Sequence, residues 1–179
     1  MSVDLSGDLA KASRDVRREL NGAPEIIVNN AAEFFVIPAE KTEVADFERA
    51  LRVNLTSHFA LVREFLGDMK RRRRGHIVTI GSMADERGLP GNAAYSASKF
   101  ALRGLHEVLR EELRGTGVRT TLVSPARVDT SLWNSARAAG AVPVADSGMI
   151  PATAVAEGVR YAVLQAPEVN VDELRLSRS

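Results

Sequence analysis

The chain of 179 residues contains no cysteine, which excludes disulfides, thiolate metal sites and a cysteine nucleophile. Histidine is nearly as scarce: His58, His76 and His106 are far apart in sequence and lack the spacing of known metal sites. An excess of one charge is also missing. The 24 Lys and Arg against 23 Asp and Glu leave a net charge of +1, which argues against a nucleic-acid binder, since such affinity comes mostly from a strongly basic face. No stretch approaches the ~20 apolar residues of a membrane helix, and the segment from Met1 to Leu20 is charged, with no apolar signal core. These absences set the expectation of a cytoplasmic protein with no metal, no nucleic-acid partner and no membrane span.

What is present is an ordinary globular composition, 45% hydrophobic and 26% charged. A chain of this length buries roughly 70% of its unfolded surface, enough for one domain over residues 1–179 with a real core. Short apolar runs alternate with longer helical patterns, the mark of βα units around a parallel sheet. The runs Glu25 to Asn29, His76 to Gly81, Val118 to Ser124 and Val171 to Leu176 show little alternation, so they read as strands covered on both faces. A helix is expected from about Val44 to Lys70, where Phe47, Leu51, Leu55, His58, Leu61, Val62, Phe65 and Met69 share one face. A second helix begins near Ala94 and ends at Gly115, a third covers Ala152 to Leu164, and another, roughly Leu9 to Leu20, precedes the first strand. The run from Lys70 to Arg74 sits at a helix C-terminus, where cations complement the macrodipole. Residues 130–150, with Gly140, Pro143 and Gly148 and no firm period, read as a substrate loop carrying at most one short helix.

Tyr95 and Lys99 stand four residues apart and so share a helix face with Leu102, His106 and Leu109. A lysine in line with a core stripe is unusual, because burying an ammonium without a partner is costly. Placed near a tyrosine, whose free pKa is about 10, such a cation favours the phenolate and makes the phenol a usable acid or base. A lone Tyr-x-x-x-Lys is nonetheless more often a lysine snorkelling outward. Ser82 strengthens the reading. It follows the second strand directly, at the carboxyl end where open α/β sheets bind ligands, although serine there is often only a turn or cap residue. Asn54 falls among the apolar positions of the first long helix, where its amide must find partners; it either bonds its own backbone or holds a bent helix and a water near Lys99. Two further strand ends, Asn29-Asn30-Ala31-Ala32 and Ser124-Pro125-Ala126-Arg127-Val128-Asp129-Thr130, would open on the same cleft.

Taken together these residues resemble the short-chain dehydrogenase/reductase family, over about Asp4 to Leu176. The resemblance implies a truncated, doubly wound, Rossmann-like parallel sheet and an oxidoreductase that moves hydride between NAD or NADP and a small carbonyl or alcohol substrate. It maps the family's tetrad onto Asn54, Ser82, Tyr95 and Lys99. Tyr95 would be the proton donor or acceptor, Ser82 would orient the substrate oxygen, Lys99 would lower the tyrosine pKa and hold the nicotinamide ribose, and Asn54 would hold a relay water. Cofactor contacts would come from Asn30, Ala31, Pro125, Val128 and Thr130, with Asp4 and Leu5 at the adenine ring. Each of two turns has Ala where the family has Gly, at Ala32 and Ala126, and alanine tolerates positive φ poorly. A homo-oligomer, dimer or tetramer, is the implied assembly.

The departure is at the front, where a family member carries a Gly-rich turn whose backbone N–H groups hold the pyrophosphate. Nothing of that kind occurs here, as if about 60 residues, or two βα units, were absent and the chain began at the third strand. The strand Glu25 to Asn29 is then expected at a sheet edge open to another chain. The alternative is a catalytically inactive remnant that serves as a binding or assembly module. A hydrolase is disfavoured, because Ser82 is not set in a Gly-x-Ser-x-Gly elbow. Leu132, Trp133 and Met149 are candidates for an apolar substrate wall.

Overall fold

The structure, a computed structural model, describes residues 4, 5, 7–138, 140 and 148–179. The first helix, α1 (Leu9–Leu20), starts where the Asp8 carboxylate accepts the Lys11 N–H at 2.9 Å and stops where Asn21 turns left-handed at φ 50°. Strand β1 (Ile26–Asn29) follows. Helix α2 (Val44–Leu51) then runs through a π-helical turn at Arg52–Thr56 into α3 (Ser57–Arg72). Beyond it come β2 (Gly75–Ile80), α4 (Ala93–Leu113) and β3 (Val118–Pro125). A two-residue strand β4 (Val128–Asp129), a short helix α5 (Asn134–Ala138), a second two-residue strand β5 (Ile150–Pro151), α6 (Ala152–Val163) and β6 (Glu173–Leu176) complete the order.

The main sheet runs β1-β2-β3-β6 and every pairing is parallel, with Ile27 opposite Ile77 and Ile77 opposite Thr120. Parallel neighbours need crossovers, and the helices supply them on both faces. On one face Ile27, Ile77 and Val118 pack with Val62, Phe65 and Met69 of α3 and Leu109 and Leu113 of α4. On the other, Val78, Ile80 and Val123 pack with Val155, Val159 and Val163 of α6. Helix α1 lies over α3, held by Arg17, which bonds Asp68 at 2.5 Å and also reaches Glu64. Among the described helices none is long and apolar enough to cross a membrane.

Each expected long element is present, with boundaries shifted by one or two residues at most ends, the ordinary uncertainty of a fraying terminus. Three differences have physical causes. The first long helix is interrupted at Arg52–Thr56, where an i→i+5 turn rotates the buried stripe so that Ala50 and Asn54 face inward while Phe47, Leu51 and Leu55 stay half-buried. Strand β1 is covered on one face only: Ile27 and Asn29 are buried, whereas Ile26 and Val28 are 46% and 44% exposed, because α6 lies over β3 and β6 and does not reach β1. Asp4 and Leu5, expected at the adenine ring, are in irregular backbone here. Within residues 130–150 the described part is a 3-10 turn at Ser131–Trp133, α5 and β5; Pro143 lies outside the described residues.

Candidate active site

A cleft of about 1400 Å³ opens beyond the carboxyl ends of β1, β2 and β3, where open α/β sheets place their ligands. That volume exceeds what one small molecule fills, so the cleft has room for a substrate beside part of a larger ligand. Asn30, Ala31 and Ala32 after β1, Ser82 after β2, and Pro125, Val128 and Thr130 after β3 all line it, together with Tyr95 and Lys99 of α4. These nine residues singled out in the sequence are thus brought to one place.

Ser82 does two things at once. Its Oγ accepts the Ala84 N–H at 3.1 Å, capping the short 3-10 turn Met83–Asp85, and its hydroxyl faces the Tyr95 phenol. Burial pushes the Tyr95 pKa above its ordinary value; the Ser82 hydroxyl opposes the shift and the charge of Asp85 adds to it. The expected lowering by Lys99 is therefore not what this structure displays. The Lys99 ammonium donates to the Ile80 carbonyl at 2.9 Å and sits 5.7 Å from the Tyr95 ring centroid, and its own pKa is pushed down to about 8 by burial. Lys99 is 1% exposed, so the snorkelling alternative fails. An ammonium has three N–H donors and Ile80 takes one, which leaves donors for a ligand in the cleft.

Asn54 is fully buried and does not line the cleft. Its Oδ1 accepts the Glu33 N–H at 2.7 Å, while its Nδ2 donates to the Glu33 carbonyl at 3.0 Å and to Ser98 Oγ at 2.9 Å. Ser98 in turn donates to the Tyr95 carbonyl at 2.7 Å, so the amide fastens the loop after β1 to the turn of α4 that carries the tyrosine. Asp4 and Leu5 do not line the cleft either. Ala32 and Ala126 both avoid positive φ, so replacing glycine in those two turns causes no backbone strain.

Several lining residues carried no signal in the sequence. Phe34 meets Tyr95 edge to face at 4.9 Å and Trp133 at 4.7 Å, making one aromatic wall. Its segment is pinned where the Ile37 N–H bonds the Gly91 carbonyl at 2.8 Å; at Gly91 φ is +73° and a Cβ would come within 2.9 Å of Val36 Cγ1. Trp133 is anchored by its indole N–H on the Val128 carbonyl at 2.8 Å. Leu132 shares that wall, but Met149 does not reach the cleft and contacts Arg137 instead. Val155 and Val159 of α6 close the far side. His58, on the apolar face of the first long helix, is buried and bonds the Ala31 carbonyl through Nε2 at 2.9 Å; burial, then the nearby Lys99 charge, pushes its pKa down to about 4. It thus holds the cleft loop as a neutral ring.

Residues 1–140 match the short chain dehydrogenase family. Estradiol 17-beta-dehydrogenase 11 of Pongo abelii is 37% identical over 133 residues, 72% of this chain and 44% of that protein. 3-Ketodihydrosphingosine reductase of Bos taurus is 36% identical over 132 residues, 73% of this chain and 40% of that protein. A metagenomic short-chain oxidoreductase solved in complex with NADP superposes with a TM-score of 0.78 at 29% identity, over all of this chain and 74% of that one. The chain spans less than half the length of these two curated relatives.

Proposed function

We propose, from the premise that this chain belongs to the short chain dehydrogenase family, that it is the catalytic part of an NAD(P)-dependent oxidoreductase acting on a carbonyl or alcohol. The observation that carries the reading is the Ser82 hydroxyl facing the Tyr95 phenol inside one cleft, with the buried Lys99 one helical turn away. NADP in the related oxidoreductase structure supports the choice of cofactor class. The residues fit the nicotinamide half of such a cofactor: Lys99 keeps donors for ribose hydroxyls, and Asn30, Ala31, Pro125, Val128 and Thr130 offer groups along the cleft floor. A bound nicotinamide would supply or accept the hydride.

In the reducing direction the Ser82 hydroxyl donates a hydrogen bond to the substrate oxygen, and the Tyr95 phenol gives that oxygen its proton. The phenolate left behind is stabilised by the Lys99 ammonium. Because burial raises the Tyr95 pKa above 10, the group is a neutral phenol at pH 7, which suits it as the acid of a reduction. Oxidation of an alcohol needs the phenolate as base, so its rate rises as pH increases toward that value while reduction declines. Asn54 acts by fixing the Tyr95 turn through Ser98.

The test is a fluorescence titration with NADPH and NADH, followed by turnover of a panel of ketones. Binding should be retained in Tyr95→Phe, while turnover falls by about 10²–10⁴-fold. Turnover in Tyr95→Phe equal to the parent would overturn the acid–base assignment. An absence of binding up to millimolar cofactor would instead favour a catalytically inert assembly module.

A further inference from the structure

Directly beneath Ser82 lies a carboxylate that the proposed chemistry leaves unused. Asp85 is 1% exposed, and a charge so buried persists only when paired and hydrogen-bonded. Its Oδ2 accepts the Ser82 N–H at 3.0 Å and the Ser124 hydroxyl at 2.7 Å, which ties the end of β2 to the end of β3. Its Oδ1 accepts Arg103 Nε at 3.1 Å. Arg103, from α4, reaches Glu173 of β6 at 2.7 Å and Glu86 at 3.2 Å, and Arg175 of β6 bonds both of those glutamates. The position is made by Gly81, where a Cβ would stand 2.2 Å from Asp85 Oδ2 and 2.9 Å from Ser124 Oγ. Only a residue without a side chain lets the carboxylate sit there.

We propose that Asp85 is a positioning residue: clamped by Arg103, it fixes the Ser82 backbone so that the hydroxyl meets Tyr95, and it sets a negative charge beside the Tyr95–Lys99 pair. The groups facing this carboxylate are Ser82 and Ser124 from the strand ends and Tyr95, Lys99 and Arg103 from α4; Glu86, Glu173 and Arg175 face it through Arg103. A buried anion nearby makes phenolate formation harder and deprotonation of the ammonium harder: at Tyr95 it adds to the rise caused by burial, and at Lys99 it opposes the larger lowering that burial causes. Removing only the charge of Asp85 should therefore ease ionisation of the tyrosine. Removing its arginine, with the Ser82 N–H and the Ser124 hydroxyl still holding the carboxylate, takes a cation from beside the pair and should hinder it.

The opposite signs make a test that a scaffolding role cannot imitate. The inference takes its meaning from the acid–base reading of Tyr95, but the phenol can be observed without cofactor or turnover, so an inactive chain still reports. The chain has two tyrosines, and Tyr161 is 56% exposed on α6, away from the cleft lining. In a Tyr161→Phe background, the ultraviolet absorbance of phenolate titrates Tyr95 alone, with circular dichroism at each pH to verify the fold. Asp85→Asn should lower the Tyr95 midpoint by about half a pH unit or more, and Arg103→Gln should raise it. If Asp85→Asn does not fold, the Arg103→Gln shift decides. Midpoints unmoved in folded variants, or moved in the same direction by both, would overturn the proposal.

Discussion

Lys99 shows how one residue can serve a site against the interest of the fold. Burial brings its pKa down to about 8 from an ordinary value of 10.5, and at 1.36 kcal/mol per unit the gap corresponds to about 3 kcal/mol of destabilisation below pH 8. Between those two values the unfolded chain holds a proton that the folded chain has released, so stability rises with pH across that window. Replacing the ammonium by an apolar side chain of similar length removes the penalty and loses the bond to Ile80, the contact with the Tyr95 ring and the attraction to Asp85. Lys99→Met should therefore melt higher at pH 7, by about 1–3 kcal/mol of unfolding free energy in urea titrations, with the gain shrinking toward pH 10.5. Turnover should fall sharply at the same time, and a variant both less stable and fully active would contradict the placement. The oddity of a lysine in an apolar stripe was legible in the sequence, because helical spacing alone sets which residues share a face. The source of the Tyr95 shift was not, since the tyrosine's burial and the charge of Asp85 depend on strands and helices far apart in the chain.

Among the elements, the joined helices α2 and α3 carry information that periodicity could not. A 3.6-residue count over Val44 to Lys70 finds an apolar stripe, but the π turn at Arg52–Thr56 adds a residue to one turn and changes which side chains point inward. Asn54 stands in that turn, and its three bonds to Glu33 and Ser98 are what the turn secures. In Asn54→Ala the Glu33 N–H and carbonyl lose a buried partner, a cost of about 2–4 kcal/mol, or roughly 5–10 °C in melting temperature for a chain of this size. Thermal melts by circular dichroism check this, and a change below 2 °C would mean that water replaces the amide without loss. Asp85 did leave a trace in the sequence: Ser82-Met83-Ala84-Asp85 has the Ser-x-x-acid spacing of a capping box directly after a strand. The basic run at the end of α3 is likewise engaged rather than free, with Arg72 on the Ala23 carbonyl at 2.8 Å, Arg73 on Gly115 at 2.9 Å and Arg74 on Glu25 at 2.9 Å.

The whole molecule could be read from its sequence because strand and helix runs alternate, and alternation of that kind leaves little choice but a parallel sheet with crossover helices. What could not be read was coverage: an apolar run such as Ile26-Ile27-Val28 looks the same whether one or both faces are packed, and here Ile26 and Val28 remain exposed at the sheet edge. The interior also holds three imidazoles. His76 bonds Thr121 at 2.8 Å, His106 bonds Thr79 at 3.3 Å and His58 bonds Ala31 at 2.9 Å, and each is at most 3% exposed. Burial is the largest cause for all three, reinforced by Lys99 at His58, Arg119 at His76 and Arg110 at His106, and each pKa is pushed down to about 4. An unfolded histidine titrates near 6.5, so between pH 6.5 and 4 the unfolded chain binds up to three more protons than the folded one. The histidines' contribution to stability is then complete above pH 6.5 and is lost as pH falls through the window, up to about 3 kcal/mol for each imidazole. A domain of ordinary stability, about 5–15 kcal/mol, cannot withstand the full sum. Acid should unfold the protein cooperatively before the carboxylates titrate, and urea midpoints measured from pH 7 to pH 4.5 should fall more steeply in the parent than in His106→Gln. Parallel slopes in the two proteins would place the acid sensitivity elsewhere.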